Sequence, residues 1–289
     1  MRKGIILAGG TGTRLAPLTN VISKQLIPIF DKPMIYYPLS TLMLSGIREY
    51  LIITSSLDNH LFKELLGNGS KLGIDISYAV QNSPNGIAQA FLIGEKFISN
   101  SHISLILGDN LFHGNQLISM LEKADKKNKG ATLFAYTVND AERYGVIELN
   151  KKGEILSIEE KPKSPKSRYA ITGLYFYDNA VVEYAKSLTM SERYEFEISD
   201  INKIYLEKGN LNVQLMGRGT AWLDTGTIES LHEASSYIRT LENRQGLKIS
   251  CPEEIAWRNS WIDDNELAKL AKPISNSGYG KYLMKLLNE

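Results

Sequence analysis

The sequence predicts an α/β fold of three layers, in which helices cover both faces of a Rossmann-like, mostly parallel mixed sheet. Over the first half of the chain, short apolar runs that fit buried strands alternate with longer amphipathic stretches. This alternation is typical of parallel strands joined by crossover helices. The first apolar run, at residues 5–7, leads directly into a glycine-rich turn, as at the ligand-binding edge of such sheets.

Five strands and four helices are predicted in the first half of the chain. The first of these helices begins at Pro33, which suits a first helical turn, and stops before Gly46. The predicted strands are 4–7, 50–54, 76–80, 104–107 and 132–137, and the predicted helices are 33–45, 60–66, 87–98 and 117–127.

After residue 139 the pattern becomes mixed, and we expect this region to complete the roof of a pocket. Asn150 to Gly153 has the composition of a hairpin turn. The predicted strands here are 146–149, 155–159, 170–177, 211–216 and 221–223, and the predicted helices are 180–186, 198–207 and 227–241.

The domain organisation predicted from these patterns is a core of residues 1–244 followed by a helical segment of residues 245–289. The core divides near residue 138 into a first half and a mixed second half. The terminal segment contains short predicted helices at 253–258, 264–271 and 280–287. Helices of this length are unstable alone, so they should pack on the core or on another subunit.

Composition and charge exclude several classes of protein. The 289 residues are 43% hydrophobic, which suits one large α/β domain, and the net charge of +1 creates no field that favours nucleic acid or an anionic membrane. Cys251 is the single cysteine, so no intramolecular disulfide can form and a reducing cytoplasm is the simplest location. The first apolar run ends at Gly9, too early for a signal peptide, and no apolar run is long enough to span a bilayer.

The glycine-rich turn predicts a phosphate site. Glycines at positions such as Gly9 and Gly12 let backbone N–H groups close around an anion, and Arg14 and Lys24 add two cations. The turn is not a dinucleotide fingerprint, because Leu15 stands where the third glycine belongs, and the P-loop lysine triplet is absent. The alternative is a tight strand-to-helix turn with incidental cations.

Two aspartates form a candidate metal site. Asp109 and Asp224 each follow an apolar run, so each should lie at the end of a strand. Mg²⁺ needs few protein oxygens and takes its other ligands from phosphates and water. The alternative is that both are ordinary turn residues. The four histidines have no metal-binding spacing, and no Ser-His-Asp or Cys-His set is evident, which fits a displacement without a protein nucleophile.

Two further stretches carry groups that could bind a sugar phosphate and a base. Glu160 and Lys161 precede Pro162, so a carboxylate for sugar hydroxyls stands beside a cation for the phosphate. Gln81 has an amide that can pair with the edge of a base, and Gly86 lets the backbone approach the ring. The alternative for Glu160 and Lys161 is a solvated charged turn, and the alternative for Gln81 and Gly86 is an ordinary turn before a helix.

The ordered set of motifs resembles the sugar-phosphate nucleotidylyltransferases over essentially the whole chain. Within that family the likeness is to the members that join dTTP to α-D-glucose 1-phosphate. The motifs are Gly-Gly-x-Gly-Thr-Arg-Leu from Gly9, Gly108-Asp-Asn, Tyr144-Gly-Val, Glu159-Glu-Lys-Pro and Trp222-Leu-Asp-Thr-Gly.

The resemblance implies a transferase that makes dTDP-glucose and pyrophosphate as the first step toward dTDP-L-rhamnose. UTP as the nucleotide, or a non-catalytic sugar-nucleotide sensor, remain alternatives. The implied catalytic residues are Arg14, Lys24, Asp109, Lys161 and Asp224, with Mg²⁺ on Asp109 and Asp224. The implied nucleotide-binding residues are Gly9, Gly12, Thr13, Arg14, Lys24, Gln25, Gln81, Gly86 and Asp109, and the implied sugar-phosphate-binding residues are Asn110, Tyr144, Gly145, Glu160, Lys161, Ile171 and Trp222.

The resemblance also implies a homotetramer with a second nucleotide site at a subunit interface, where dTDP-rhamnose inhibits. Ile118 and His113 depart from the family pattern, which often has a histidine and an aromatic residue at these places, so binding could persist with altered strength. From the residues alone, the tail could equally be a surface helix with ordinary charges. The implied residues of the second site are Leu44, Gly114, Arg218, Lys248, Glu254, Ile255 and Arg258.

Overall fold

The computed structural model describes residues 2–288 and confirms the α/β class. None of the helices in that range is both long and apolar enough to cross a bilayer. The strands are β1 (Arg2–Ala8), β2 (Pro28–Ile29), β3 (Lys32–Pro33), β4 (Glu49–Thr54), β5 (Asp75–Val80), β6 (His102–Leu107), β7 (Asn110–Gly114), β8 (Ala131–Thr137), β9 (Gly145–Leu149), β10 (Ile155–Glu160), β11 (Tyr169–Tyr177), β12 (Leu211–Met216) and β13 (Thr220–Asp224). The helices are α1 (Tyr36–Leu44), α2 (Asn59–Leu66), α3 (Gln89–Ile93), α4 (Glu95–Ile98), α5 (Leu117–Asp125), α6 (Val181–Ser187), α7 (Ile198–Glu207), α8 (Ile228–Gln245), α9 (Pro252–Arg258), α10 (Asp264–Ala271) and α11 (Gly278–Leu286).

A nine-stranded mixed sheet runs through the molecule in the order β10-β9-β11-β6-β1-β4-β5, with β8 and β12 continuing from β11. Strands β6, β1, β4 and β5 are parallel, as the alternation of strands and helices predicts. Strand β8 runs in the same direction as these strands, as expected, but it does not pair with them. Strand β11 lies between β6 and β8 and is antiparallel to both.

Strands β7 and β13 form a separate two-stranded antiparallel sheet, and β7 was not predicted. It begins only two residues after β6 ends, so the chain turns sharply at Gly108 and Asp109. The side chain of Gln25 and the carbonyl of Leu7 approach to 2.9 Å and 3.0 Å of the place where a Cβ on Gly108 would stand. Glycine therefore allows this crowded turn at the carboxyl end of β6.

The predicted helices 33–45 and 87–98 differ from the observed ones, the first in where it begins and the second in its continuity. Helix α1 begins at Tyr36 instead of residue 33, because Pro33 pairs with Pro28 in the β2–β3 hairpin. The predicted helix 87–98 is divided into α3 and α4 at Gly94. A Cβ at Gly94 would lie 3.0 Å from Cδ1 of Ile5, so glycine lets this segment pack tightly on the sheet.

Alternate side chains of the central strands enter two separate apolar cores. Ile6 belongs to the core beneath α1 and α5, and its neighbour Ile5 belongs to the core beneath α3, α6 and α7. Ala256, Leu267 and Leu283 of the terminal helices join the first of these cores. The terminal helices therefore pack on the core of the chain. The predicted domain boundaries, at residue 244 and near residue 138, stay a prediction.

Candidate active site

The glycine-rich loop follows β1 at the carboxyl edge of the parallel strands. Gly12 has φ of 64°, a left-handed conformation that favours glycine, and the Thr19 hydroxyl donates to its carbonyl at 2.8 Å. A Cβ at Gly9 would stand 2.5 Å from Oε1 of Gln81. The loop is therefore held by a hydrogen bond from Thr19 at Gly12 and packs closely against the side chain of Gln81 at Gly9.

Lys24 connects the segment after this loop to the end of β6. Its ammonium group donates to a carboxylate oxygen of Asp109. Gln25, which follows it, is only 2% exposed, and its Oε1 accepts a hydrogen bond from the Ser23 hydroxyl at 2.7 Å. The cation and the amide predicted for the nucleotide therefore lie beside the first predicted metal ligand.

Asp109 and Asp224 are brought together by the pairing of β7 with β13. Asp224 is directly opposite Asn110 in the register of this two-stranded sheet, and the backbone N–H of Thr225 donates to the carbonyl of Asp109 at 3.1 Å. Burial and the charge of Asp109 raise the pKa of Asp224 to about 6. Burial opposes the charged form of Asp109 too, but the ammonium of Lys24 outweighs it and lowers the pKa of that carboxyl.

These two carboxylates fit a divalent cation that completes its coordination with phosphates and water. They face one cavity together, and their mutual repulsion is the kind that a cation between them relieves. Within residues 2–288 there is no cluster of three or more His, Cys, Asp or Glu side chains able to hold a metal. A Cβ at Gly226 would lie 3.0 Å from Nη2 of Arg14 and 3.3 Å from Oδ1 of Asp224, so glycine leaves room for both groups.

A cavity of ≈ 250 Å³ opens beside the two aspartates. Every residue predicted to bind the sugar phosphate lines it, although these residues come from five separate strands and the turns beside them. They are Asn110, Tyr144, Gly145, Glu160, Lys161, Ile171 and Trp222.

Glu160 is held at this cavity by groups on three sides. The Ser199 hydroxyl donates to its Oε2, and a Cβ at Gly145 would lie 3.3 Å from the same oxygen. The other oxygen faces cations, with Nζ of Lys161 at 3.9 Å and Nη1 of Arg193 at 3.7 Å. The carboxylate can accept from sugar hydroxyls while the neighbouring cations remain available to a phosphate.

A second cavity, of ≈ 310 Å³, lies beside Asp109 and is lined by residues predicted to bind the nucleotide. Gln81 lines it and donates through Nε2 to Oε1 of Gln89 at 2.7 Å. Gly86 also lines it, with φ of 101°, and a Cβ there would lie 2.4 Å from the carbonyl of Phe196. Gly86 is therefore required by the close approach of the Phe196 backbone. Of the predicted nucleotide residues, Arg14, Lys24, Gln25, Gln81, Gly86 and Asp109 line this cavity, and Gly9, Gly12 and Thr13 lie in the adjoining loop.

The two cavities meet at a shared wall. Arg14, Asp109 and Lys161 line both of them, together with Ile87 and Leu107. Two cations and a carboxylate at such a junction can position one phosphate from each side. The arrangement suits a reaction in which an anionic group from one cavity attacks a phosphorus in the other.

Four polar residues near the sugar cavity were missed by the sequence analysis. Arg143, Ser199 and Asn202 line it, and Arg193 contacts Glu160 from outside. Ser199 and Asn202 are brought to the cavity because α7 packs against β10.

The residues predicted for a second nucleotide site lie on two neighbouring parts of the surface. Glu254, Ile255 and Arg258 are on α9, which packs on α1, the helix that carries Leu44. Arg218 is exposed in the turn before β13, where Thr220 pairs with Gly114. The ammonium of Lys248, by contrast, is bound by carboxylates, with Asp31 and with Oε2 of Glu242 at 2.6 Å.

Known proteins resemble this chain over nearly its whole length. Residues 3–240 match the family model for nucleotidyl transferases. The chain is 59% identical to the glucose-1-phosphate thymidylyltransferase of Neisseria meningitidis serogroup A over 99% of this chain and 100% of that protein. It is 55% identical to the protein of the same name from Mycolicibacterium smegmatis, over 99% of each.

Solved structures show the same architecture. One is a Bacillus anthracis protein named as a candidate glucose-1-phosphate thymidylyltransferase, solved with sucrose, with a TM-score of 0.77 and 41% identity over 83% of this chain and 96% of that chain. Another is a UDP-glucose pyrophosphorylase solved with UDP-glucose, with a TM-score of 0.73 and 25% identity over 83% of this chain and 99% of that chain.

Proposed function

The chain belongs to the nucleotidyl transferase family, and from that premise we propose its reaction and the residues that carry it. It is a glucose-1-phosphate thymidylyltransferase, which transfers the dTMP moiety of dTTP to α-D-glucose 1-phosphate and releases pyrophosphate. The observation that carries the proposed site is the meeting of two cavities at Arg14, Asp109 and Lys161. One cavity would take the sugar phosphate and the other the nucleotide.

The chemistry required is an in-line displacement between two anions. A phosphate oxygen of glucose 1-phosphate attacks the α-phosphorus of dTTP, and pyrophosphate leaves on the opposite side. Positioning and charge neutralisation are therefore the main tasks of the protein. Lys161 holds the attacking phosphate, while Arg14 and Lys24 hold the triphosphate and its leaving group.

Asp109 and Asp224 would hold Mg²⁺, which neutralises phosphate oxygens when it is bound. Lys24 donates to Asp109 in this structure, so its ammonium group is within reach of whatever the two carboxylates bind. A lysine has a flexible stem and three donors, which lets it turn from a carboxylate to a phosphate oxygen. Lys24 thus reaches the nucleotide by rotation of its side chain.

The sugar is held by Glu160, which accepts from ring hydroxyls, and by Tyr144, Gly145, Ile171 and Trp222 as walls. The base is read by the amide of Gln81, with Gln25 and Gly86 beside it. Trp222 stacks edge-on with Tyr144 at 5.1 Å between ring centroids, so the two aromatic walls support each other. These assignments rest on which residues share each cavity.

A pyrophosphate-release assay over a grid of nucleotides and sugar 1-phosphates tests the proposal. dTTP with glucose 1-phosphate should be the best pair, with UTP a weaker second. Preference for UTP would identify the uridylyl analogue of the reaction. Binding of dTDP-glucose without turnover in the presence of Mg²⁺ would instead indicate a sugar-nucleotide sensor.

We also propose that the product feeds dTDP-L-rhamnose synthesis and that dTDP-rhamnose inhibits at a second site in a homotetramer. The support is the family resemblance and the placing of Leu44 beside α9 and of Gly114 beside Arg218. His113 is already engaged, with Nδ1 2.9 Å from the hydroxyl of Tyr237. The cytoplasm remains the proposed location, since Cys251 is a buried free thiol.

A further inference from the structure

One side chain in the wall of the sugar cavity has a hydrogen-bonding group that the roles above do not use. Asn202 lies in α7, three residues after Ser199, and is 0% exposed. Within residues 2–288, five buried side-chain polar atoms have no hydrogen-bond partner. Nδ2 of Asn202 is the one among them whose residue lines this cavity. Because an unpaired buried N–H is costly, we expect a bound molecule to supply its acceptor.

The orientation of this amide is fixed by its other end. Oδ1 of Asn202 accepts a hydrogen bond from the hydroxyl of Tyr177 at 2.6 Å. The ring of Tyr177 is stacked on Tyr205 with 5.5 Å between centroids and meets Phe91 edge-on at 5.4 Å. The hydroxyl therefore cannot move away, and Nδ2 is the group left for another partner.

The cavity that Asn202 lines also contains a hydrogen-bond acceptor, the carboxylate of Glu160. Residues three apart lie on one face of a helix, so Ser199 and Asn202 both point from α7 toward the sheet. Ser199 donates to the carboxylate of Glu160, and Glu160 and Asn202 line the same cavity. This end of the cavity therefore offers a carboxylate that accepts and an amide that donates. A hydroxyl group is the substituent that satisfies both, because it donates one hydrogen and accepts on its oxygen.

We propose that Asn202 is a specificity-determining residue for the sugar, and this inference rests on the proposed function. Its Nδ2 donates to the oxygen of a ring hydroxyl whose own hydrogen is donated to Glu160. The pair selects a hydroxyl over an ammonium group, which can only donate, and over hydrogen, which does neither. A fluorine at the same carbon keeps an acceptor for Asn202 and loses the donor for Glu160.

The test compares the wild type with Asn202→Leu on glucose 1-phosphate and on its 2-, 3-, 4- and 6-deoxy analogues. The variant should lower kcat/KM for glucose 1-phosphate about tenfold, the effect of one lost hydrogen bond. One deoxy analogue should be used equally well by both proteins, because it lacks the hydroxyl that Asn202 reads. The KM for dTTP should not change. A uniform loss over all five sugars would overturn the inference, since that is what a merely structural role produces.

Two variants guard against a folding artefact. Asn202→Leu leaves the hydroxyl of Tyr177 without its acceptor, so Tyr177→Phe/Asn202→Leu removes both partners and should show the same pattern of sugar use. Tyr177→Phe alone retains Nδ2 but no longer fixes its orientation, so it should keep the wild-type ranking of sugars and lose less kcat/KM for glucose 1-phosphate than Asn202→Leu does. Turnover of glucose 1-phosphate by the wild type distinguishes failure of this inference from failure of the proposed function. If the wild type is active and the losses are uniform, only this inference fails; if it is inactive, the proposed function fails with it.

Discussion

Nε1 of Trp222 donates a hydrogen bond of 2.6 Å to Oδ1 of Asn110 within the two-stranded sheet of β7 and β13. The same oxygen accepts from the backbone N–H of Gly173 at 3.0 Å, and Nδ2 of Asn110 donates to Oδ1 of Asp109 at 3.0 Å. A Cβ at Gly173 would lie 2.6 Å from that Oδ1, so only glycine allows the contact. Asn110 thus joins the wall of the sugar cavity to the candidate metal site.

The first prediction concerns this linking role. Asn110→Leu should lower kcat/KM for glucose 1-phosphate by at least tenfold and should also lower the melting temperature. Two buried N–H groups, those of Trp222 and Gly173, would lose their acceptor, at about 1–3 kcal/mol each. Trp222→Phe is the matched control, since it removes one donor and leaves the other contacts of Asn110 in place. Equal effects of the two variants on kinetics and on thermal unfolding would contradict the role.

The second prediction concerns the two aspartates. Asp109→Asn and Asp224→Asn should each lower kcat by roughly two or more orders of magnitude, because each removes charge that the metal site needs in the transition state. Circular dichroism should show that both variants fold. Asp75→Asn is a control for the loss of one acidic charge, because Asp75 is exposed at the start of β5. Near-normal turnover by both active-site variants at limiting Mg²⁺ would refute a shared site.

The third prediction concerns pH and uses protein stripped of metal with a chelator. The pKa of Asp224 is raised to about 6 from 3.8, so the folded state holds an extra proton between those values. Stability from this group is therefore present at low pH and is lost as the pH rises through 6. Asp224→Asn should raise the melting temperature at pH 7.5, by an amount corresponding to about 1–3 kcal/mol, and should change it little near pH 4. An equal shift at both pH values would show that burial and repulsion of the charge are not the cause.

The fourth prediction concerns Lys161. Lys161→Ala should raise the KM for glucose 1-phosphate and leave dTTP binding nearly unchanged, because the cation serves the attacking phosphate. Lys161 adopts φ of 43°, a left-handed conformation that is costly for a residue with a side chain and is often retained at functional sites. Lys166→Ala is the control, since Lys166 pairs with Glu159 at 2.7 Å outside the cavity. Calorimetry that finds both substrates weakened equally would reassign Lys161.

The parallel strands could be predicted from the sequence because each is a short apolar run bounded by turn residues. The order of strands across the sheet could not, since the pairing of β11 between β6 and β8 joins residues far apart in sequence. The pairing of β7 with β13 was missed for the same reason, although Asp109 beside β7 and Asp224 at the end of β13 were both identified. Local patterns determine which segments are strands, and long-range packing determines their neighbours.

The candidate site shows the same division. Motifs with unusual local chemistry, such as the glycine-rich turn or Glu160 before Lys161, were recognised in the sequence. Ser199 and Asn202 were not, because a serine and an asparagine in a helix are ordinary surface residues unless the helix is known to pack on a cavity. Their role depends on α7 lying against β10, which follows only from the folded chain.

The last prediction concerns inhibition by dTDP-rhamnose, and the structure guides which residue should be changed. The side chain of Lys248 is 15% exposed and is held by Asp31 and Glu242, so removing it would leave two carboxylates that share Lys32 as their remaining cation. The side chain of Arg258 is 53% exposed and pairs with Glu254 at 2.7 Å on one helical face. Arg258 can therefore be changed with less damage to the fold.

Arg258→Ala should relieve inhibition by dTDP-rhamnose and leave the uninhibited kcat/KM nearly unchanged. The expected coupling between the sites is about 1–3 kcal/mol, so saturating inhibitor should weaken substrate binding roughly 5- to 150-fold in the wild type and much less in the variant. Glu254→Gln is a second variant, because Glu254 also accepts from the hydroxyl of Tyr282 at 2.6 Å and its loss tests the same site from another side. Inhibition that is purely competitive with dTTP, or a potency that Arg258→Ala leaves untouched, would mean that the inhibitor acts only in the cavities beside Asp109 and Asp224.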